Sequence, residues 1–258
     1  MDPATNDRAA EQEQRSYYNA IADTYDSHFA SPQALAYRNR LYSRIFAGID
    51  LSGARVLDVA CGGGENSVFF RERGCDVVGV DISDAQCRIF RRRFPGSLVV
   101  TGSMAELAFA EETFDVVVTE SLHHSHPHLE RTLAEISRVL RPGGHFLLWE
   151  PEVGSIFDRA RKLWYRLDPS YFQDNEQSID IEQVVSTLQD RFTVERTEYG
   201  GNVAHLFVLN SMHFRIPPRL VGLYARGAMA LEFLLNRLAT RLLSMWVLCL
   251  LRKKDAAR

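Results

Sequence analysis

The stretch Arg55-Val-Leu-Asp-Val-Ala-Cys-Gly-Gly-Gly-Glu-Asn-Ser-Val-Phe-Phe70 decides the fold. Val56 to Ala60 is apolar apart from Asp58 and predicts a short buried strand. Gly62, Gly63 and Gly64 follow, and Glu65 to Arg73 predicts a helix. A strand that feeds a helix through glycines is the first unit of a doubly wound α/β sheet. Glycine lets the backbone turn tightly and approach a ligand closely. The helix start adds unpaired N–H groups and the positive end of a dipole. The spacing Gly62-x-Gly64-x-x-Ser67 lacks the third glycine of the dinucleotide fingerprint. Asp58 is a carboxylate inside an apolar strand, and a buried charge is costly without a partner. It either accepts bonds from the glycine turn or orients the cationic end of a ligand.

Downstream, Asp76-Val-Val-Gly-Val-Asp81 predicts the second strand. It ends in an acid about 20 residues beyond the glycines, where this fold places a carboxylate on ribose hydroxyls. Ile82 is placed to cover one face of an adenine. Phe114 to Thr119 predicts the fourth strand, and the polar run Glu120 to His128 lies at its C-terminal end, where open α/β sheets keep their sites.

Taken together and in order, VLDVACGGG, VVGVDIS, FDVVV, SLHH and RVLRPGGHFLLWEP resemble the class I S-adenosylmethionine-dependent methyltransferases of the small-molecule type. The resemblance runs from Tyr17 to Pro151 and fades beyond. It implies a Rossmann-like, mostly parallel seven-stranded sheet with an antiparallel edge strand. Helical insertions near 154–180 and 203–243 would form a cap on one domain spanning 16–258. It also implies S-adenosyl-L-methionine as cofactor. Asp58, Ala60, Cys61, Gly62, Gly64, Asp81 and Ile82 are then the expected binding residues. In this family the turn after the third strand serves the adenine, here at Ser103 and Met104, and Glu120 closes the set. A segment like Tyr17 to Asp26 covers the cofactor in such enzymes, which makes Tyr17 and Tyr25 contacts; the alternative is a helix packed on the sheet.

The chemistry is alkyl transfer from a sulfonium, so alignment and exclusion of water carry much of the work. A base is needed only for a protonated acceptor. His123, His124 and Glu120 are the candidate catalytic groups. His126 and His128 complete a histidine-rich loop, but Pro127 breaks a helical ligand pair and no metal is expected. An aromatic, acidic segment holding Trp164, Tyr165, Tyr171, Phe172, Asp174 and Glu176 is the expected lid, apolar on its acceptor side.

The 258 residues carry a net charge of −3, which argues against a dedicated nucleic-acid binder with its broad basic footprint. The expected partner is a small-molecule acceptor: a secondary metabolite, a quinone-like compound or a lipid-linked molecule. RNA or protein methylation is the alternative, as is a non-catalytic adenosyl-binding module. Cys61, Cys75, Cys87 and Cys249 show no metal-ligand spacing and read as reduced packing residues of a cytoplasmic protein. Residues 1–15 are expected to be unstructured. Arg91 to Arg93 reads as a solvated helix end. The tail from Leu220 to Leu251 predicts a helix packed on the sheet and then a final strand. Its alternatives are a homodimer contact or an Arg-edged apolar surface in at most peripheral contact with a membrane.

Overall fold

In the computed structural model the described residues are 3–167 and 179–255. The glycine-containing stretch builds β1 (Arg55–Val59), a turn, and α3 (Glu65–Arg71). The chain opens with α1 (Pro3–Phe29) and α2 (Pro32–Ile45). After α3 come β2 (Asp76–Asp81), α4 (Asp84–Arg93), β3 (Val99–Thr101) and β4 (Phe114–Thr119). A 3₁₀ turn, Leu122–His128, leads to α5 (Leu129–Val139), β5 (Leu140–Pro151) and α6 (Ile156–Leu167). Then follow α7 (Ile181–Leu188), β6 (Phe192–Gly200), a π turn at His205–Leu209, α8 (Pro218–Leu235) and β7 (Trp246–Lys253).

The seven strands lie in the order β3-β2-β1-β4-β5-β7-β6, and β7 alone runs antiparallel, against both β5 and β6. The order reverses at β1, which pairs in parallel with β2 on one side and β4 on the other. That reversal opens a crevice beyond the carboxyl ends of the strands. Strand period two sends neighbours to opposite faces. Val56, Val116, Leu147 and Leu248 join the core beneath α2, α3 and α4. Leu57, Val117, Leu148 and Cys249 join the core beneath α5 and α7. Burial on both faces is why these strands read as continuous apolar runs rather than alternating ones.

Local signals set the helix starts. Ser31 accepts the Ala34 N–H ahead of Pro32, and Ser83 accepts the Gln86 N–H. Arg141-Pro-Gly-Gly144, rich in residues that favour a turn, is taken into β5. Phe114 pairs with Leu140 and Val116 with His145, so the four residues bulge out of the ladder. Gly143 (φ +74°) supplies the conformation this needs.

Two expectations need correction. The start of the chain is not unstructured: α1 begins at Pro3, and Arg15 is hydrogen-bonded to Asp84. The basic run is not merely solvated either. Arg93 bridges Asp26 on α1 and the carbonyl of Gly63, which ties α1 and α4 to the glycine turn. Of the expected lid, Trp164 and Tyr165 fall in α6, while Tyr171, Phe172, Asp174 and Glu176 lie outside the described residues.

Candidate active site

A cavity of about 600 Å³ lies beyond the carboxyl ends of β1, β2, β4 and β5, beneath α1, α6 and residues 205–214. Its floor comes from the glycine turn. Gly62 sits at φ +52° and donates its N–H to Asp81 Oδ2 at 2.8 Å. A Cβ there would stand 2.9 Å from Glu65 Oε2, so the bare backbone is what faces the cavity. Ser83 N–H binds the other Asp81 oxygen at 2.8 Å. Burial lifts Asp81 to about 6, opposed by these two amide bonds. Ala60, Cys61 and Ile82 also line this end, as does Met104.

Three expected residues stand outside the cavity wall. Asp58 is fully buried behind it and accepts from Ser67 Oγ at 2.7 Å and Asn66 Nδ2 at 3.5 Å. Burial drives its carboxyl well above the usual range. This pairing with α3, rather than with the glycine turn, is what the structure shows for Asp58. It also explains Ser67 at the position of the missing third glycine. Gly64 (φ +96°) faces α4: a Cβ would meet Phe94 at 2.5 Å and Phe90 at 3.0 Å. Ser103 turns to α1 and donates its hydroxyl to Glu11.

Tyr17 and Tyr25 on α1 do line the cavity, with Tyr25 stacked on Phe29 at 4.3 Å. Burial raises the Tyr25 phenol above its ordinary value, so it stays a neutral donor. Helix α1 is held over the opening by Asn19, which accepts from Ser83 Oγ at 2.8 Å, and by the Arg93 bridge.

The catalytic candidates divide by partner. Glu120 lines the cavity, yet both its oxygens are engaged. Arg38 approaches in a fork at 2.9 and 2.8 Å, and the Tyr42 hydroxyl adds a bond at 2.8 Å. His124 meets the Tyr18 hydroxyl through Nε2 at 2.9 Å. His123 is differently placed. Its Nδ1 lies 2.7 Å from Glu150 Oε2, and Glu150 Oε1 accepts the Leu122 N–H at 2.7 Å. Glu150 is buried, and His123 opens onto the cavity. Desolvation disfavours charge on both partners, lowering His123 to about 4 and raising Glu150 to about 8. Among the described residues no group of three or more metal-ligating side chains assembles.

Four lining residues escaped the sequence reading. Arg38 stands on an apolar helix face between Tyr37 and Leu41, and Glu150 ends the apolar run Phe146 to Trp149. Both repeat the signal that singled out Asp58. Glu65, in the first turn of α3, is raised to about 7 by burial against the pull of Arg93 and Arg38. Gln86 is buried with Oε1 lacking a partner. Opposite these, Trp149, Phe157, Leu206, Leu209, Met212 and Trp246 give the cavity an apolar wall.

The polar end suits S-adenosylmethionine. It offers a backbone floor without a Cβ, a carboxylate at the tip of β2 and an unsatisfied buried amide oxygen. Glu65 adds a carboxyl that a cationic ligand would hold ionised.

Residues 57–148 match the model of a family described as a methyltransferase domain. Within a segment of 110 residues the chain is 39% identical to phthiotriol/phenolphthiotriol dimycocerosates methyltransferase of Mycobacterium tuberculosis, covering 41% of each chain. It is 35% identical over 115 residues to a fatty-acid O-methyltransferase of Mycolicibacterium smegmatis, covering 43% of this chain and 42% of that one. The matched segment thus spans about two fifths of the length of these curated relatives. The fold is shared with the 1,6-didemethyltoxoflavin-N1-methyltransferase of Burkholderia thailandensis, crystallised with 1,6-didemethyltoxoflavin and S-adenosylhomocysteine. That likeness has a TM-score of 0.59 at 17% identity and covers 99% of this chain and 92% of that one.

Proposed function

We propose that this chain, which carries a methyltransferase domain of the class I S-adenosylmethionine-dependent type, methylates a hydroxyl of an apolar small-molecule acceptor. One observation carries the reading. A single cavity is lined by Gly62, Asp81 and Ile82 at one end, and by the His123–Glu150 pair and an apolar wall at the other. The bound cofactor supplies an electrophilic methyl group on a sulfonium. Asp81 would accept from ribose hydroxyls with the lone pairs its amide bonds leave. Ile82 and Met104 would sandwich the adenine, and Glu65 would pair with an ammonium.

On the acceptor side, His123 is the base. Glu150 holds Nδ1, which leaves Nε2 as the ring nitrogen available to the cavity. While Glu150 is protonated its proton sits toward Nδ1 and the basic lone pair is spent. Once Glu150 ionises, the imidazole carries its hydrogen on Nδ1, and Nε2 takes the hydroxyl proton as the acceptor oxygen is methylated. Glu120, tied to Arg38 and Tyr42, holds the wall of the site rather than moving a proton. Trp149, Phe157 and Leu209 exclude water from the apolar portion of the acceptor. Relatives named as a phthiotriol/phenolphthiotriol dimycocerosates methyltransferase and a fatty-acid O-methyltransferase support an apolar acceptor.

The test offers methyl-labelled S-adenosylmethionine with long-chain alcohols and phenols. Label is expected in an apolar ether. His123→Ala should cut turnover by about 100-fold, the usual contribution of a positioned base, while S-adenosylhomocysteine binds as before. Tight cofactor binding without transfer to any hydroxyl acceptor would defeat the proposal.

A further inference from the structure

We infer that α8 and the turns after it form a docking face for an anionic lipid bilayer. The tail was expected chiefly as core packed on the sheet, and the structure differs. Helix α8 packs mainly on α2 and the 205–209 turn, through Val221, Ala225, Ala228 and Phe233. Every leucine between 220 and 243 is exposed, from 42% at Leu235 to 83% at Leu223. Leu220, Leu223, Leu231 and Leu234 recur at helical spacing along one stripe, bordered by small Gly227 and Ala230. Scattered exposed leucines need no account, but a contiguous stripe of them does.

Charge selects the occupant. The only acid from 215 to 243 is Glu232, and it is fully buried. It accepts from the Tyr37 hydroxyl and from the N–H groups of Asn202 and His205. Arg219 and Arg226, seven residues apart, share one edge of the stripe, and Arg237 extends that edge. All three are exposed. Arg241 is not part of this edge, since Glu152, Asp180 and Glu182 hold it. An apolar stripe with a one-sided cationic border and no exposed acid is the pattern of a helix lying in a bilayer interface.

The face is continuous with the rim of the cavity. Tyr224 donates to the carbonyl of Phe207, beside exposed Phe214, and Leu206, Leu209, Asn210, Met212 and His213 line the cavity from within. On the other flank α6 packs against Arg241–Leu243, with Ile156 and Leu163 exposed on it. An apolar acceptor could pass from the bilayer into the cavity along this rim, a role that rests on the methyl-transfer reading. The docking itself rests only on the surface. Among the described residues no helix is long and apolar enough to cross a membrane.

The experiment is sedimentation of the full chain with vesicles of phosphatidylcholine alone or mixed equally with phosphatidylglycerol. It is run without cofactor or acceptor, so failure of methyl transfer leaves its result intact. Binding to the anionic vesicles, weakened by salt, is expected. Leu223→Glu combined with Leu234→Glu should abolish it. Arg219→Gln with Arg226→Gln should weaken partitioning about 25-fold, since each cation near an anionic surface contributes about fivefold. These exposed positions tolerate the changes, which circular dichroism checks. Absence of binding to either vesicle, binding indifferent to both pairs of substitutions, or a dimer broken by the leucine pair without vesicle binding would each overturn the inference.

Discussion

Asp81 shows how one side chain couples local geometry to pH. Its two oxygens already brace the glycine turn and the start of α4, and burial holds the carboxyl near 6. A ligand hydroxyl donates better to the ionised form, so cofactor affinity should rise as pH climbs from 5 to 8. Glu65, near 7, acts in the same direction if it meets a cation. Calorimetry at the two pH values checks the sign. Asp81→Asn should lose roughly tenfold or more in affinity, one charge-assisted bond's worth, and should lose the lower part of the pH dependence, leaving the part that follows Glu65. The His123–Glu150 pair makes a separate statement. Glu150 near 8 means that turnover should rise through mildly alkaline pH as the base form appears. In Glu150→Gln that rise should vanish and turnover should fall about 100-fold while cofactor affinity holds, a split that steady-state kinetics and calorimetry resolve together.

Among the elements, the turn between β1 and α3 has two sides with separate duties. Gly62 presents backbone to the cavity, whereas Gly64 admits the rings of Phe90 and Phe94 from α4. Gly64→Ala therefore carries both a left-handed φ and a contact shorter than a Cβ tolerates. A loss of about 2–4 kcal/mol in urea unfolding is expected, combining backbone strain with overpacking. The Asp58–Ser67 bond joins β1 to α3 in the same region. Its burial makes Asp58 a part of the scaffold behind Gly62.

For the whole molecule, stability and surface meet at Glu232. This buried carboxylate links α8 to α2 through Tyr37, and to the cavity wall through the amides of Asn202 and His205. Tyr37 in turn accepts from Trp246 Nε1 at 3.0 Å, which reaches β7. Removing the carboxylate strands several buried donors. Glu232→Ala should cost about 3–5 kcal/mol, seen as an earlier thermal transition, because uncompensated buried polar groups are expensive. Loosening α8 should also reduce vesicle binding, since a frayed helix no longer holds its leucines on one stripe.

The mostly parallel sheet, the glycine turn and Asp81 were legible from residues 55 to 151 alone. Those features depend on backbone period, on glycine's freedom at positive φ and on buried apolar runs, all of which are local. Glu120, His123 and His124 were readable as cavity residues because they follow a strand end. Tertiary structure alone decided the partner of each. His123 met Glu150 from the next strand, Glu120 met Arg38 from α2, and His124 met Tyr18 from α1. It also moved Asp58, Gly64 and Ser103 out of the cavity wall, and showed the leucines of α8 facing outward. A side chain's partner comes from elements far apart in the chain, and no local pattern records which face of a helix its neighbours will leave uncovered.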